Sequence, residues 1–335
     1  MSDKSKQILK FSFFLGLTVF FMYLAFKDVD LGLLIEEMKK TNYLWLIIGS
    51  FLGVYIGGIF RALRWRYFLN PIKKDIPFNN LFSTMMIGYM MNSIVPKSGE
   101  ISRPVILAKM EDISRASTFG TIIVERVLDM LTLVASFGFC LFFFQEQIST
   151  AFPEYNLEKY AVILSIIILI FLIIAVILIF KLEWFENFIN RLTSKILPAK
   201  IKDKVDKIIV SLINGFLFIK NPAGLVMIFI LTLLLWMSYV FSTYISFWAF
   251  GIDLTLLDAN LLLTIITFTL VLPLPGNSAG AFHFFCATVL IGIFLINNET
   301  ALSYATLTHL INFILLVSTG FYYSFKENIK LSVKL

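Results

Sequence analysis

Charge is what this chain has least of. Lys, Arg, Asp and Glu make up 15% of its residues against 59% hydrophobic, and mean hydropathy is +0.86, whereas soluble domains carry about 25% charge. Such a balance excludes a soluble globule and points to a chain that crosses a membrane several times. Extended polar sequence is lacking too: the longest segment outside the apolar runs, residues 181–222, is itself amphipathic. That leaves no room for a soluble catalytic or nucleotide-binding domain, so any ATPase or transferase would be another chain. The two cysteines, Cys140 and Cys286, sit inside apolar runs, and the two histidines are His283 and His309. They make no disulfide framework and no metal set, and no phosphate-cradling loop or nucleophile elbow is found. No cofactor is expected.

Apolar runs bounded by basic residues are what the chain has in abundance. Lys4, Lys6 and Lys10 precede the run 11–26, and the small residues of a cleavage site are missing before Lys27, which predicts a retained first span. Further spans are predicted at 43–60, 117–144, 160–180, 223–250 and 301–325. The second ends in Arg61, Arg64, Trp65 and Arg66, which read as positive-inside anchors with an interfacial Trp in preference to a head-group site. Within 181–222, Trp184, Phe188 and Leu192, then Val205, Ile209, Leu212 and Phe216, recur at helical spacing opposite several lysines. They predict interfacial helices on an anionic leaflet. Basic residues number five in 61–74, eight in 181–220 and three in the tail, against one in 145–159 and none in 251–258. Both termini are therefore expected in the cytoplasm. The net charge of +6 lies at helix ends, which argues for topology and anionic head groups and against nucleic acid.

Two runs are too short to cross. Residues 81–95 make a helix of about 22 Å against a ~30 Å hydrocarbon core. The run closes in a break from Asn92 to Arg103, where Pro96 and Gly99 prevent a regular helix and Lys97, Glu100 and Arg103 fall where hydrocarbon is expected. Residues 101–110 are too polar to cross, so the pair predicts a hairpin re-entering from its own side; the alternative is an ordinary cytoplasmic loop. Residues 261–272 form a second short run, closed by Pro273, Pro275, Gly276, Asn277 and Gly280 and followed by 281–296. Residues 43–144 and 223–325 thus share one order of span, half-helix, break, return and span, the first starting outside and the second inside. Inverted repeats with broken helices in matching positions mark secondary transporters. The expected fold is a single all-α polytopic membrane domain over 1–335, with six full spans and two opposed re-entrant hairpins in an inverted repeat, joined by an amphipathic cytoplasmic linker at 181–222. The tips of the two breaks are expected to meet near the midplane around one polar cavity.

Ionisable groups at a broken intramembrane helix are the candidates for chemistry. Glu125 and Asp129 share a face at i,i+4, and Arg126 reaches Asp129 at i,i+3. Glu125, about 12 Å from the cytoplasmic end of its span, needs a partner, and Arg103 or Lys97 can supply one. In a functional reading Arg103 and Arg126 attract a phosphate while Glu100, Glu125 and Asp129 keep the empty site near neutral. In a structural reading the same charges are a salt-bridge network holding hairpin to span. At the second break Pro275, Gly276, Asn277 and Gly280 make irregular backbone, and the helix N-terminus near Ala279 offers N–H groups to an anion. His283 in its first turns fits a packed hydrogen-bonding residue better than a proton relay.

Taken together, Arg64 to Arg66, Asn92 to Pro96, Gly99 with Glu100 and Arg103, Glu125 with Arg126 and Asp129, and Pro273 with Pro275 and Gly276 carry a resemblance. In this order they resemble the flippase-like transmembrane region of lysylphosphatidylglycerol synthases, over nearly the whole chain. The resemblance implies a multi-pass protein of the cell (inner) membrane that handles phospholipids or lipid-linked intermediates, by flipping them or by serving a partner transferase. Its partners would be membrane lipids with an anionic head group or lipid phosphate. Two departures matter: the soluble aminoacyl-transferring domain of the full synthases is missing, so lysine transfer is not expected, and Asn277, Gly280 and His283 stand where the family usually continues towards an acidic residue. Movement of an anionic lipid between leaflets is the expected function. A membrane-embedded enzyme or enzyme subunit acting on phospholipid or polyprenyl-phosphate substrates is the alternative, and a scaffold for a transferase a third.

Overall fold

The computed structural model describes residues 3–151, 221–270 and 274–329 and, singly, positions 166, 170 and 218. Among them every regular element is helical, the solution that satisfies each backbone N–H and C=O within its own segment where no water reaches. Helix α1 (Asp3–Phe26) bends by 85° into α2 (Leu31–Lys40), whose start is fixed by Asp30 accepting from the backbone N–H of Gly32 and Leu33. Helix α3 (Tyr43–Phe51), a π-helical turn (Leu52–Ile56) and α4 (Gly57–Leu69) run on as one span of 27 residues. Then come α5 (Phe78–Ile94), α6 (Ser98–Met110), α7 (Arg115–Phe143) and α8 (Gln145–Ala151). After the linker follow α9 (Pro222–Ala249), α10 (Leu256–Thr269), a turn at Pro275–Ser278, α11 (Ala281–Gly292) and α12 (Asn298–Lys326). Four units, α3–α4, α7, α9 and α12, are long and apolar enough to cross a membrane, and the bent α1–α2 pair passes as a fifth. The span expected at 160–180, the interfacial helices expected within 181–220 and Pro273 of the second break lie outside the described residues.

The second span corrects one expectation. It does not stop at residue 60 with its arginines at the water boundary: the helix continues to Leu69, and Arg61 and Arg64 are 6% and 0% exposed. Carboxylates on a facing helix compensate their burial, so these side chains have a reason to turn inward.

Close helix packing sets the frame. Gly49, Gly53 and Gly57, four residues apart, meet Ser246, Ser242 and Ser238 of α9 in reverse order, so the two spans cross antiparallel along a stripe of small residues. A Cβ on Gly53 would stand 2.6 Å from Ser242 Oγ, and the Ser242 hydroxyl donates to the Gly49 carbonyl at 2.6 Å. In lipid, where apolar burial drives little association between helices, such close approach is what holds spans together.

Two larger apolar clusters make most of the core, the first also taking in Ile228 of α9. One gathers Trp65, Phe68, Met85, Leu107 and Ile122 from α4 to α7, the other Phe247, Leu262, Leu290 and Tyr304 from α9 to α12. The halves then trade partners: α5 packs on α6 and on α12, while α10 packs on α11 and on α7. Likewise α4 packs on α5 as α9 does on α10, α6 on α7 as α11 does on α12, and α4 pairs with α9. Every one of these contacts has a counterpart when α4 to α7 are exchanged for α9 to α12.

Both short pairs fold as helix, break and helix. In α5–α6, Gly99 lies so close to the Gly88 carbonyl that a Cβ would collide with it, and Lys97 turns the chain with φ 63°. In the second break the turn is made by Gly276, Asn277, Ser278 and Gly280, all with positive φ, a conformation that only glycine adopts freely.

A candidate anion site beside two helix breaks

On α4, Arg61, Arg64 and Trp65 are spaced i, i+3 and i+4 and so share a face. That face meets α7, where Glu125 and Asp129 share a face in turn. Glu125 Oε1 collects the guanidiniums: Arg126 Nη2 lies at 2.6 Å, Arg61 Nη1 at 2.8 Å, Arg103 Nη1 at 3.1 Å and Arg64 Nη2 at 4.0 Å. Asp129 takes Arg64 Nη2 at 2.7 Å, Arg61 Nη1 at 3.0 Å and Arg126 Nη2 at 3.3 Å. Arg64 also donates to Thr232 Oγ1 of α9 at 3.2 Å. The guanidinium carbon of Arg103 lies 3.7 Å from the Trp65 ring centroid, a close cation–π contact, and the indole N–H donates to Thr121 Oγ1 at 2.9 Å.

Four arginines therefore face two carboxylates, and the cluster carries a surplus of two positive charges among the described residues. Arg64 and Glu125 are 0% exposed, and charge held out of water without a counter-charge is costly. Several polar atoms here also find no hydrogen-bond partner among the described residues: Nε and Nη2 of Arg103, Nε of Arg61, Arg64 and Arg126, and Oε2 of Glu125. One side of the cluster is open, since the Arg126 side chain is 40% exposed.

Of the residues singled out from sequence, Arg103, Glu125, Arg126 and Asp129 are brought together. Glu100 is not, which corrects the expected neutralisation by three carboxylates. It sits in the first turn of α6, nearer the tip of the hairpin, where its nearest cation is Lys97 at 3.9 Å. Lys97 does not pair with Glu125; its ammonium donates to the Leu270 carbonyl at the end of α10, at 3.2 Å. Through that bond the two breaks touch, and the turn at Pro275–Ser278 rests on α5. Asn92 fastens the first break, its Oδ1 accepting from the Gly99 N–H at 2.6 Å.

At the second break the Ala279 N–H is engaged inside the turn, donating to the Gly276 carbonyl at 3.2 Å, so it is not the free donor the sequence suggested. His283 Nδ1 accepts from the Gly280 N–H at 3.3 Å, and its ring lies 5.1 Å from that of His309, whose Nε2 is 3.3 Å from the Asn277 carbonyl. Gly280 presses on the Thr18 carbonyl of α1 with no space for a side chain. Pro275, Gly276, Asn277, Gly280 and His283 thus form one tight turn braced by α1 and α12. Sequence reasoning missed Arg61, Arg64, Thr232 and His309 as members of these two centres. The shared helical face of Arg61, Arg64 and Trp65 was the signal that could have found the first two.

Several apolar helices of spanning length, two broken pairs in contact and a buried charge cluster held by α4, α6 and α7 define an all-α, multi-pass membrane protein. The chain belongs to the family described as the lysylphosphatidylglycerol synthase TM region, whose model matches residues 7–320. It is 28% identical over 174 residues to a UPF0104 membrane protein of Methanocaldococcus jannaschii, covering 50% of this chain and 51% of that one. Similar proteins in Methanothermobacter thermautotrophicus and Pyrococcus horikoshii, also UPF0104 membrane proteins, are 22% and 24% identical, with 73% and 72% of this chain covering 75% and 76% of theirs. The chain thus spans about half the length of the first relative and about three quarters of the other two. No solved structure matches it.

Proposed function

We propose that this protein moves an anionic phospholipid or lipid-linked intermediate between the leaflets of the cell membrane, with both termini in the cytoplasm. The carrying observation is the contact of the two breaks, Lys97 on Leu270, in a bundle whose buried cluster holds more arginine than carboxylate. The exchange of partners between α4–α7 and α9–α12 supports reading the halves as an inverted repeat, in which transporters keep their site where the breaks meet. In this reading the head group passes between the breaks and its phosphate is held by Arg103 and Arg126, while the acyl chains stay in lipid. Glu125 and Asp129 hold the guanidiniums in place between passages, and the second break, with Asn277 and His283, forms the opposite wall.

Purified protein in liposomes tests this with a fluorescent phosphatidylglycerol placed in one leaflet. Transfer to the other leaflet without chemical change is expected, slowed at least about tenfold by Arg103→Ala, the loss of one charge-assisted contact. A chemically modified lipid would favour a membrane-embedded enzyme, and no transfer at all a scaffold for a transferase; either result overturns the reading.

A further inference from the structure

The surplus charge and one unused edge of a guanidinium narrow the ligand. Arg103 is 5% exposed and is held at two points, Nη1 on Glu125 at 3.1 Å and the guanidinium plane against Trp65, which is itself fixed on Thr121 at 2.9 Å. Its Nε and Nη2 have no partner among the described residues. Those two atoms form the edge that grips a phosphate or carboxylate through two parallel N–H bonds. We infer that the cluster takes a doubly charged phosphate, a phosphomonoester or a diphosphate at the polar end of a lipid, on the Nε–Nη2 edge of Arg103. The inference rests on the lipid-phosphate reading above and adds the charge of the group.

Charge balance selects this class. Four guanidiniums against Glu125 and Asp129 leave two positive charges over. A zwitterionic head group would bring its own cation to a cationic site and leave the surplus standing. A phosphodiester would cancel one charge and leave the other buried. A dianion cancels both, and its extra oxygen suits the further N–H groups at Nε of Arg61 and Arg126, which also lack partners among the described residues. Arg126, with its side chain 40% exposed, marks the open side by which such a group arrives.

The test uses the full chain in detergent and two probes of equal chain length, dodecyl phosphate and its methyl ester, which differ by one charge. Dodecyl phosphate is expected to bind about tenfold or more tightly, the step given by one further charge-assisted contact. Arg103→Lys keeps the charge and removes the two-pronged edge; it should weaken both probes about tenfold and leave the preference for dodecyl phosphate in place, because the surplus of two is unchanged. Arg126→Gln, changed at the exposed side, is the second variant: it lowers the surplus by one and should weaken the monoester more than the methyl ester. Equal binding of the two probes by the unaltered chain, unchanged affinity of both probes for Arg103→Lys, or a preference left undiminished by Arg126→Gln would overturn the inference. Inorganic phosphate is expected to bind at least about tenfold more weakly than dodecyl phosphate; equal binding would make the ligand a free phosphate and remove the lipid from the assignment. Transfer of labelled phosphatidylglycerol without any monoester preference would sink this inference and leave the transport reading intact. A monoester preference without transfer of any lipid would do the reverse.

Discussion

Glu125 is the residue on which the charge cluster turns, because one of its oxygens lies within 4.0 Å of four guanidiniums. Removing Arg103 leaves that oxygen paired with Arg61 and Arg126 and reduces the charge surplus. Removing the carboxylate leaves four buried arginines with Asp129 alone. Breaking a buried pair by deleting the outnumbered partner is the costly direction, about 3–5 kcal/mol. Glu125→Gln is therefore expected to lose stability by that amount, and Arg103→Met by less than half of it, read as unfolding midpoints in one detergent. Equal losses would show Arg103 to be the only effective partner of Glu125. The members of the cluster that could be read from sequence, Arg103, Glu125, Arg126 and Asp129, each interrupt an apolar run or its break, where charge has no ordinary reason to be. Arg61 and Arg64 escaped because basic residues closing an apolar run are also the normal mark of a cytoplasmic helix end. Only the continuation of α4 to Leu69 separates the two cases.

The spans owe their register to the glycine stripe, and its glycines are not equivalent. The atom that a Cβ on Gly53 meets first is the Ser242 hydroxyl oxygen, 2.6 Å away, whereas a Cβ on Gly49 meets Ser246 Oγ at 2.7 Å and the Ser242 backbone carbonyl at 2.9 Å. Side chains can be trimmed and backbone cannot. Gly53→Ala and Gly49→Ala should each cost about 1–3 kcal/mol through overpacking. Adding Ser242→Gly should restore most of the loss for Gly53→Ala, apart from the hydrogen bond to the Gly49 carbonyl, while adding Ser246→Gly should leave Gly49→Ala destabilised. Thermal unfolding of the four variants checks this, and equal rescue at both sites would mean that the helices slide apart instead. At this scale hydropathy foretold three of the long helices, α7, α9 and α12, and both short pairs to within about five residues, since lipid imposes a length on apolar segments. But it began α1 eight residues late and ended the second span nine residues early. It did not foretell α2, a ten-residue amphipathic helix with Lys39 and Lys40 in its last turn, which is too short and too charged to stand out as an apolar run, nor the π-helical turn at Leu52–Ile56, which leaves hydropathy unchanged.

For the molecule as a whole, passage of a head group between the breaks requires that they part. Lys97 and Leu270 are joined where the first break meets the end of α10, and the turn at Pro275–Ser278 leans on α5. Both positions can be reached by a reagent, the Lys97 side chain being 44% and Leu270 40% exposed. The core around Trp65 takes in Ile228 of α9, and α5 packs Ile87 and Met90 against Val317 of α12, so parting the breaks is a local movement of the tips and not a sliding of one half on the other. The Lys97–Leu270 hydrogen bond, worth about 1 kcal/mol, is a contact that thermal motion opens readily. A covalent bond there is not. Lys97→Cys combined with Leu270→Cys and joined by a short reducible crosslinker should bring lipid transfer in liposomes down to the protein-free rate, and reduction should restore it. The native thiols, Cys140 and Cys286, are buried, and each single variant treated alike serves as control. Transfer that continues at the uncrosslinked rate in the joined protein would show that no head group crosses between the breaks. The route would then have to be sought along the groove lined by Tyr55, Phe82, Ser318, Thr319, Tyr322 and Tyr323.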